Sequence, residues 1–178
     1  KQKKSKILIF GITGLLGNML YKYFREKNNF EIFGASRKNK QYSKNTQNIK
    51  IIKNLKNENE LNKIVETIKP RYIINSIGLV KSSINENNIL ETFYINSYFP
   101  KIIEKIATIN NCKLIHISTD CVFDGKKGNY VEEDATNAND LYGISKILGE
   151  CESKHSLTIR TSIIGHELKS KLSLLEWF

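Results

Sequence analysis

Short apolar runs alternate with amphipathic stretches along most of the chain. Lys6–Phe10 (KILIF) ends in a continuous apolar run closed by a glycine, the pattern of a strand buried on both faces of a parallel sheet. A helix is predicted from the following glycines to about Lys27. Glu31–Ala35 reads as a second strand, ending at Ser36-Arg37, and Ile49–Ile52 as a third, with a polar stretch from Lys38 to Gln47 between them. Leu61, Ile64, Val65 and Ile68 have helical spacing within Glu58–Ile68, and Pro70 ends that helix. Arg71–Ser76 is a fourth strand, closed by Ile77-Gly78.

A long helix is predicted over Ile89–Ile109, where Ile95, Phe99, Ile102, Ile103 and Ile106 form one stripe. Pro100 is expected to kink its first turns. Lys113–Ser118 is a fifth strand, followed by a polar loop and a helix that carries Tyr142 and Lys146. In that helix Leu141, Ile144, Leu148 and Cys151 are expected to face the core, with Tyr142, Ser145, Lys146 and Gly149 on another side. A sixth strand is placed near Leu157–Ile163. Strands alternating with helices give right-handed βαβ units. The predicted fold is α/β: a Rossmann-like, doubly wound parallel sheet with helices on both faces.

Composition adds little to that picture. With 178 residues, 40% of them hydrophobic, the chain suits one globular domain. No apolar run approaches the roughly 20 residues of a membrane span, so no membrane partner is expected. The net charge of +10 comes from lysines spread over the whole chain. It forms no basic helix interleaved with aromatics, so nucleic acid is not expected as a partner. Steering of an anionic substrate remains a use for the charge. Cys112, Cys121 and Cys151 are isolated in sequence, which reads as reduced thiols and a cytoplasmic protein. His116, His155 and His166 lack metal-ligand spacing, and no metal site is expected; His116 reads as a sheet residue.

Three motifs carry chemistry. Gly11-Ile-Thr-Gly14-Leu-Leu-Gly17 directly follows a strand and opens a helix, the context of a dinucleotide fingerprint. Its glycines allow a tight turn, approach of a pyrophosphate to the backbone, and close helix–strand packing. Ser36-Arg37 stands after strand two, where NAD-binding chains carry an acid. A guanidinium matches a phosphate there, so NADP(H) is expected in preference to NAD(H). Tyr142 and Lys146 are four apart and share a helix face. A neighbouring ammonium is expected to lower the phenol's pKa. A strand-end hydroxyl, Ser118 or Thr119, could converge on the same point.

With these motifs the chain resembles an extended short-chain dehydrogenase/reductase, and within that superfamily the dTDP-4-dehydrorhamnose reductase group of sugar-nucleotide reductases. The resemblance rests on the glycine loop, on Asn96 with Pro100, on Ser118-Thr-Asp-Cys-Val-Phe-Asp-Gly125, on Tyr130-Val-Glu-Glu-Asp134, on Leu141–Glu150 (LYGISKILGE) and on Arg160-Thr-Ser162. The group usually has Tyr where this chain has Cys121.

The resemblance implies reduction, by NAD(P)H, of a keto group on a nucleotide-linked sugar in deoxysugar or polysaccharide precursor synthesis. Thr119 would position the carbonyl, Tyr142 would be the general acid, and Lys146 would tune Tyr142 and hold the nicotinamide ribose. Asn96 would support a water-linked proton route. Around the cofactor the resemblance places Gly11, Thr13, Gly14, Leu15, Leu16 and Gly17, then Ser36 and Arg37, Asn54-Leu55, Ser76-Ile77-Gly78 and Ser118. Rival readings are a sugar-nucleotide epimerase of the same superfamily and a non-catalytic NADP-binding regulatory subunit. A homodimer stays open. The chain lacks an initiator Met and ends in LSLLEWF. It is therefore expected to be a piece of a longer protein whose C-terminal, substrate-binding part is mostly absent.

Overall fold

The computed structural model describes residues 4–27, 29–37 and 48–165. The polar stretch from Lys38 to Gln47 lies outside the described residues, as does His166. Among the described residues six parallel strands form one sheet in the order β3-β2-β1-β4-β5-β6. They are β1 (Ser5–Phe10), β2 (Phe30–Ser36), β3 (Ile49–Ile51), β4 (Tyr72–Asn75), β5 (Lys113–Ser118) and β6 (Ser156–Arg160). This is the Rossmann-like α/β fold. The strand order reverses between β1 and β4, so a crevice opens there at the carboxyl ends of the strands. Both loops with predicted chemistry, after β1 and after β4, border that point.

Strand β1 is buried on both faces because its residues alternate between two cores. Leu8 and Phe10 pack with α2 (Glu58–Ile68) and with α4 (Phe99–Ile109) on one side of the sheet. Ile7 and Ile9 pack with Tyr21 of α1 (Leu15–Glu26) on the other. Helix α2 starts at Asn57, whose side chain accepts from Glu60 N–H, and ends at Lys69 with φ 52° just before Pro70. Strand β6 lies at the sheet's edge, and Leu157 and Ile159 alternate outward.

The predicted long helix is one continuous helical run, distorted in its early turns. It comprises α3 (Ile89–Phe93), a π-helical turn (Tyr94–Tyr98) and α4. Phe99 N–H bonds to Tyr94 O, five residues back. Pro100 is the second residue of α4, so the perturbation falls on the turn before it. The physical reason is that proline offers no N–H to the residue four back, Asn96, and crowds its carbonyl. Inserted π turns of this kind are frequent at functional sites.

The burial prediction for the Tyr142 helix, α5 (Leu141–Leu148), holds for Cys151, which is buried in the core just past the helix end, and is overturned for Ile144 and Leu148. Ile144 is 37% and Leu148 54% exposed, while Ser145 and Lys146 are 0% and 4% exposed. The polar side faces inward because it has partners there: Ser145 meets Asn96, and Lys146 meets the end of β5. Gly149 lets the helix end close on the π turn, since a Cβ there would stand 1.9 Å from Asn96 O. Among the described residues no helix is long and apolar enough to cross a membrane.

Candidate functional site

Two clefts flank the carboxyl end of the sheet. The first, of ≈ 280 Å³, lies at the reversal of strand order. The glycine loop forms one wall: Gly11, with φ +89°, turns the chain out of β1, and Thr13 and Gly14 line the cleft. Gly17 allows the closest approach, because a Cβ there would lie 2.2 Å from Gly11 O. Leu15, Leu16 and Gly17 form the first turn of α1, whose N-cap Gly14 offers no side-chain bond and which has no acid in its first turn. Such a helix start presents N–H groups and a positive dipole end, which suits an anion.

The opposite wall comes from β2, β3 and β4. Ser36 and Arg37 line it, Ser36 buried and Arg37 exposed at the rim, with Leu55 beyond. Ser76, Ile77 and Gly78 close the wall; the Ser76 hydroxyl donates to Phe10 O at 2.6 Å. Asn54 does not join the cleft lining. It is exposed, and its side-chain oxygen accepts from Lys56 N–H at 2.9 Å within its own turn. Glu91 and Ile95, which the sequence did not single out, also line the cleft.

Asn96 binds this wall to α5. Its carboxamide accepts from Leu79 N–H at 2.8 Å and donates to Leu79 O at 3.1 Å. It also donates to the Ser145 hydroxyl at 3.0 Å, which in turn donates to Tyr142 O at 2.7 Å. All of Asn96 is buried. Lys146 stands beside it: its Nζ would lie 3.8 Å from a Cβ on Gly78.

Strand β5 ends at Ser118, and Thr119 follows. The Thr119 hydroxyl accepts from Cys121 N–H at 3.2 Å, starting a short 3₁₀ turn, donates to Asp120 Oδ1 at 3.2 Å, and lies close to the Tyr142 phenol. Asp140 caps α5 by accepting from Gly143 N–H at 3.1 Å and pairs with Lys81 at 3.2 Å, so Tyr142 sits in the first turn. The sequence reading missed Asp140, although an acid just before a helical run is an N-cap signal. Asn96 and Lys146 thus meet behind Gly78, and Thr119 and Tyr142 lie beside each other past the end of β5; none of the four lines the first cleft itself.

The electrostatics differ from the expectation. Burial raises the Tyr142 pKa above its usual value, only partly opposed by the Thr119 bond, with Cys121, Asp120 and Asp140 adding to the rise. Lys146 does not lower it. Its ammonium donates to Ile117 O at 2.8 Å, and burial depresses its own pKa to about 8 against the pull of the Glu150 carboxylate. Ser118 is also spoken for, and is not in the cleft lining. Its hydroxyl donates to Glu150 Oε1 at 3.0 Å.

Glu150 is paired twice with Arg160, Nε–Oε1 and Nη2–Oε2 both 2.8 Å. That guanidinium lies 5.2 Å over the Phe123 ring, which stacks on Tyr130 at 4.3 Å. The Tyr130 hydroxyl donates to Asp124 at 2.7 Å. Arg160, Phe123, Tyr130 and Asp124, with Asp120 and Cys121, line the second cleft of ≈ 450 Å³. Bonds from Ser162 and Thr119 hold the Asp120 carboxyl below the usual range despite partial burial. Sequence reading quoted these strings without giving their side chains a role; the pairs form only when β5 and β6 align. Among the described residues no cluster of His, Cys, Asp or Glu could hold a metal ion.

Comparison with known proteins follows the same lines. The family model of the RmlD substrate binding domain matches residues 5–171. Methionine adenosyltransferase 2 subunit beta of Danio rerio is 31% identical over 83% of this chain and 43% of its own length. A dTDP-4-dehydrorhamnose reductase of Aggregatibacter actinomycetemcomitans is 28% identical over 89% of this chain and 51% of its own. Among solved structures, a hypothetical dTDP-4-dehydrorhamnose reductase from Sulfolobus tokodaii superposes with a TM-score of 0.74 at 30% identity, covering 87% of this chain and 55% of that one. The chain therefore spans about half the length of these relatives. With the glycine loop, the reversal-point cleft and the Thr119–Tyr142–Lys146 cluster in place, the chain belongs to the RmlD substrate binding domain family, among the extended short-chain dehydrogenase/reductases.

Proposed function

We propose that this chain provides the cofactor-holding and proton-donating part of an NADPH-dependent reductase acting on a keto group of a nucleotide-linked sugar. The observation that carries the reading is the glycine-walled cleft at the reversal of strand order, with the Lys146 ammonium behind its Gly78 wall and the Thr119 hydroxyl close to the Tyr142 phenol on the same helix. The cleft suits a dinucleotide: Gly17 lets the start of α1 pack close under the Gly11 turn, where a Cβ would stand 2.2 Å from Gly11 O, and that helix start offers N–H groups to a pyrophosphate. The Ser76–Gly78 turn and Leu55 would flank the bound cofactor, and Arg37 at the rim would meet a 2′-phosphate. A dTDP-4-dehydrorhamnose reductase of Bacillus anthracis, alike in fold at TM-score 0.69 and 23% identity, was solved in complex with NADP.

When bound, NADPH supplies the hydride. The chain's own residues do the rest. Thr119 orients the carbonyl oxygen toward Tyr142. Burial keeps the Tyr142 proton in place at neutral pH, so the phenol is a loaded donor as negative charge develops on that oxygen. A general acid of this kind contributes about 10² to 10⁴ in rate. Lys146 would hold the ribose at the Gly78 edge. The second cleft, with Cys121 and the Arg160–Phe123–Tyr130 stack, would receive the sugar.

A second reading has its own support. The relatives include methionine adenosyltransferase 2 subunit beta at 31% identity, so a non-catalytic dinucleotide-binding subunit is the rival. One experiment separates them: with the full-length protein, NADPH absorbance is followed over a set of keto-sugar nucleotides. Consumption with at least one, lost in Tyr142→Phe while NADPH still binds, supports the reductase. NADPH binding without consumption across the whole set supports the subunit.

A further inference from the structure

Two polar side chains sit fully buried at the centre of the sheet. Phe10, Asn75 and His116 are neighbours in one row across β1, β4 and β5, directly beneath the loops that form the first cleft. Asn75 and His116 are both 0% exposed. The Asn75 side-chain oxygen accepts from Ile77 N–H at 3.1 Å, which fixes the turn leading to Gly78. Its amide nitrogen therefore points the other way, to His116 Nδ1 at 3.2 Å. An amide N–H is a donor only, so Nδ1 must be the acceptor and the ring carries its proton on Nε2.

That Nε2 has no hydrogen-bond partner among the described residues. A buried orphan donor is a cost that calls for an explanation. A phenyl or leucine side chain in the same row would avoid the cost, so the imidazole is retained for what its other nitrogen does. Protonation would place a second cation beside Lys146 and near Lys101, and burial with those two charges holds the ring's pKa at about 3. The ring therefore stays a neutral acceptor at any working pH.

We infer that His116 and Asn75 are positioning residues for the dinucleotide cleft. The imidazole holds the Asn75 carboxamide in the one orientation that pins Ile77 N–H, and so sets the Ile77–Gly78 wall against Lys146. Without the acceptor the carboxamide is free to turn over, presenting its N–H₂ to Ile77 N–H and releasing the turn. This rests on the dinucleotide reading of the cleft given above.

The test is NADPH and NADH binding by fluorescence titration of the purified protein, wild type against three variants. His116→Phe keeps bulk and removes the acceptor; it is expected to weaken NADPH binding about tenfold. His116→Gln can turn a carbonyl oxygen toward Asn75 and is expected to recover most of the loss, a rescue that bulk alone would not give. Asn75→Leu removes both the acceptor for Ile77 N–H and the donor to Nδ1, and is expected to weaken binding at least as much as His116→Phe; it serves if that variant does not fold. Equal binding by wild type, His116→Phe and Asn75→Leu overturns this inference alone. Equal loss in the Gln and Phe variants also overturns it. Failure of the wild type to bind either dinucleotide overturns the cofactor reading and this inference with it.

Discussion

The Lys146 ammonium donates to the main-chain oxygen of Ile117 at 2.8 Å, tying the middle of α5 to the end of β5. The tie holds a buried cation one helical turn from Tyr142 without spending it on the phenol. Its cost is visible in the Lys146 pKa, which burial depresses from 10.5 to about 8.

A titration follows from that cost. Below about pH 8 both the folded and unfolded states carry the Lys146 proton, and the burial penalty is present in full. Between about 8 and 10.5 the unfolded state binds more proton, so this group's contribution to stability rises with pH. Lys146→Met removes the penalty. Its melting temperature should exceed that of wild type most at pH 7, and the gap should shrink toward pH 10.5. Thermal melts across that range check this; a gap independent of pH would contradict it. Turnover of the variant should be lost, the usual exchange of stability for a functional group.

Gly149 is the second tie. A Cβ there would stand 1.9 Å from Asn96 O, so Gly149→Ala must push α5 away from the π turn. Destabilisation of about 1–3 kcal/mol is expected. Denaturant unfolding measures it. Because Asn96, Ser145 and Tyr142 are linked across that contact, turnover should fall more than NADPH affinity does. Equal falls in both would point to simple loss of fold.

Arg37 is exposed at the rim of the first cleft. Arg37→Ala should weaken NADPH binding about tenfold, from loss of charge-assisted bonds to a phosphate, and leave NADH binding nearly unchanged. Titrating both cofactors against both proteins checks this. A wild type that prefers NADH would contradict it.

Much of this architecture is legible along the chain because its signals are local. The apolar run of β1 and the glycines after it fix a strand, a turn and a helix within a few residues. Tyr142 and Lys146 share a face by spacing alone. The exceptions come from contacts between distant positions. Amphipathicity placed Ile144 and Leu148 inside, but Asn96, 49 residues before Ser145, recruits the polar side instead. Ser118 looked like a free strand-end hydroxyl until β5 and β6 aligned and brought the Glu150–Arg160 pair to it. Asn75 and His116 are 41 residues apart and meet only through strand register. Asn54 lies outside the cleft lining for a local reason: its side chain closes its own turn.

The central claim is that the cleft and the Tyr142 cluster act together on a carbonyl. It is tested most directly by following label from NADPH deuterated at the transferable position into a keto-sugar nucleotide. The product should carry one deuterium on the former carbonyl carbon, and Tyr142→Phe should form none while still binding NADPH. Product lacking that deuterium, or unchanged turnover in Tyr142→Phe, would contradict the account.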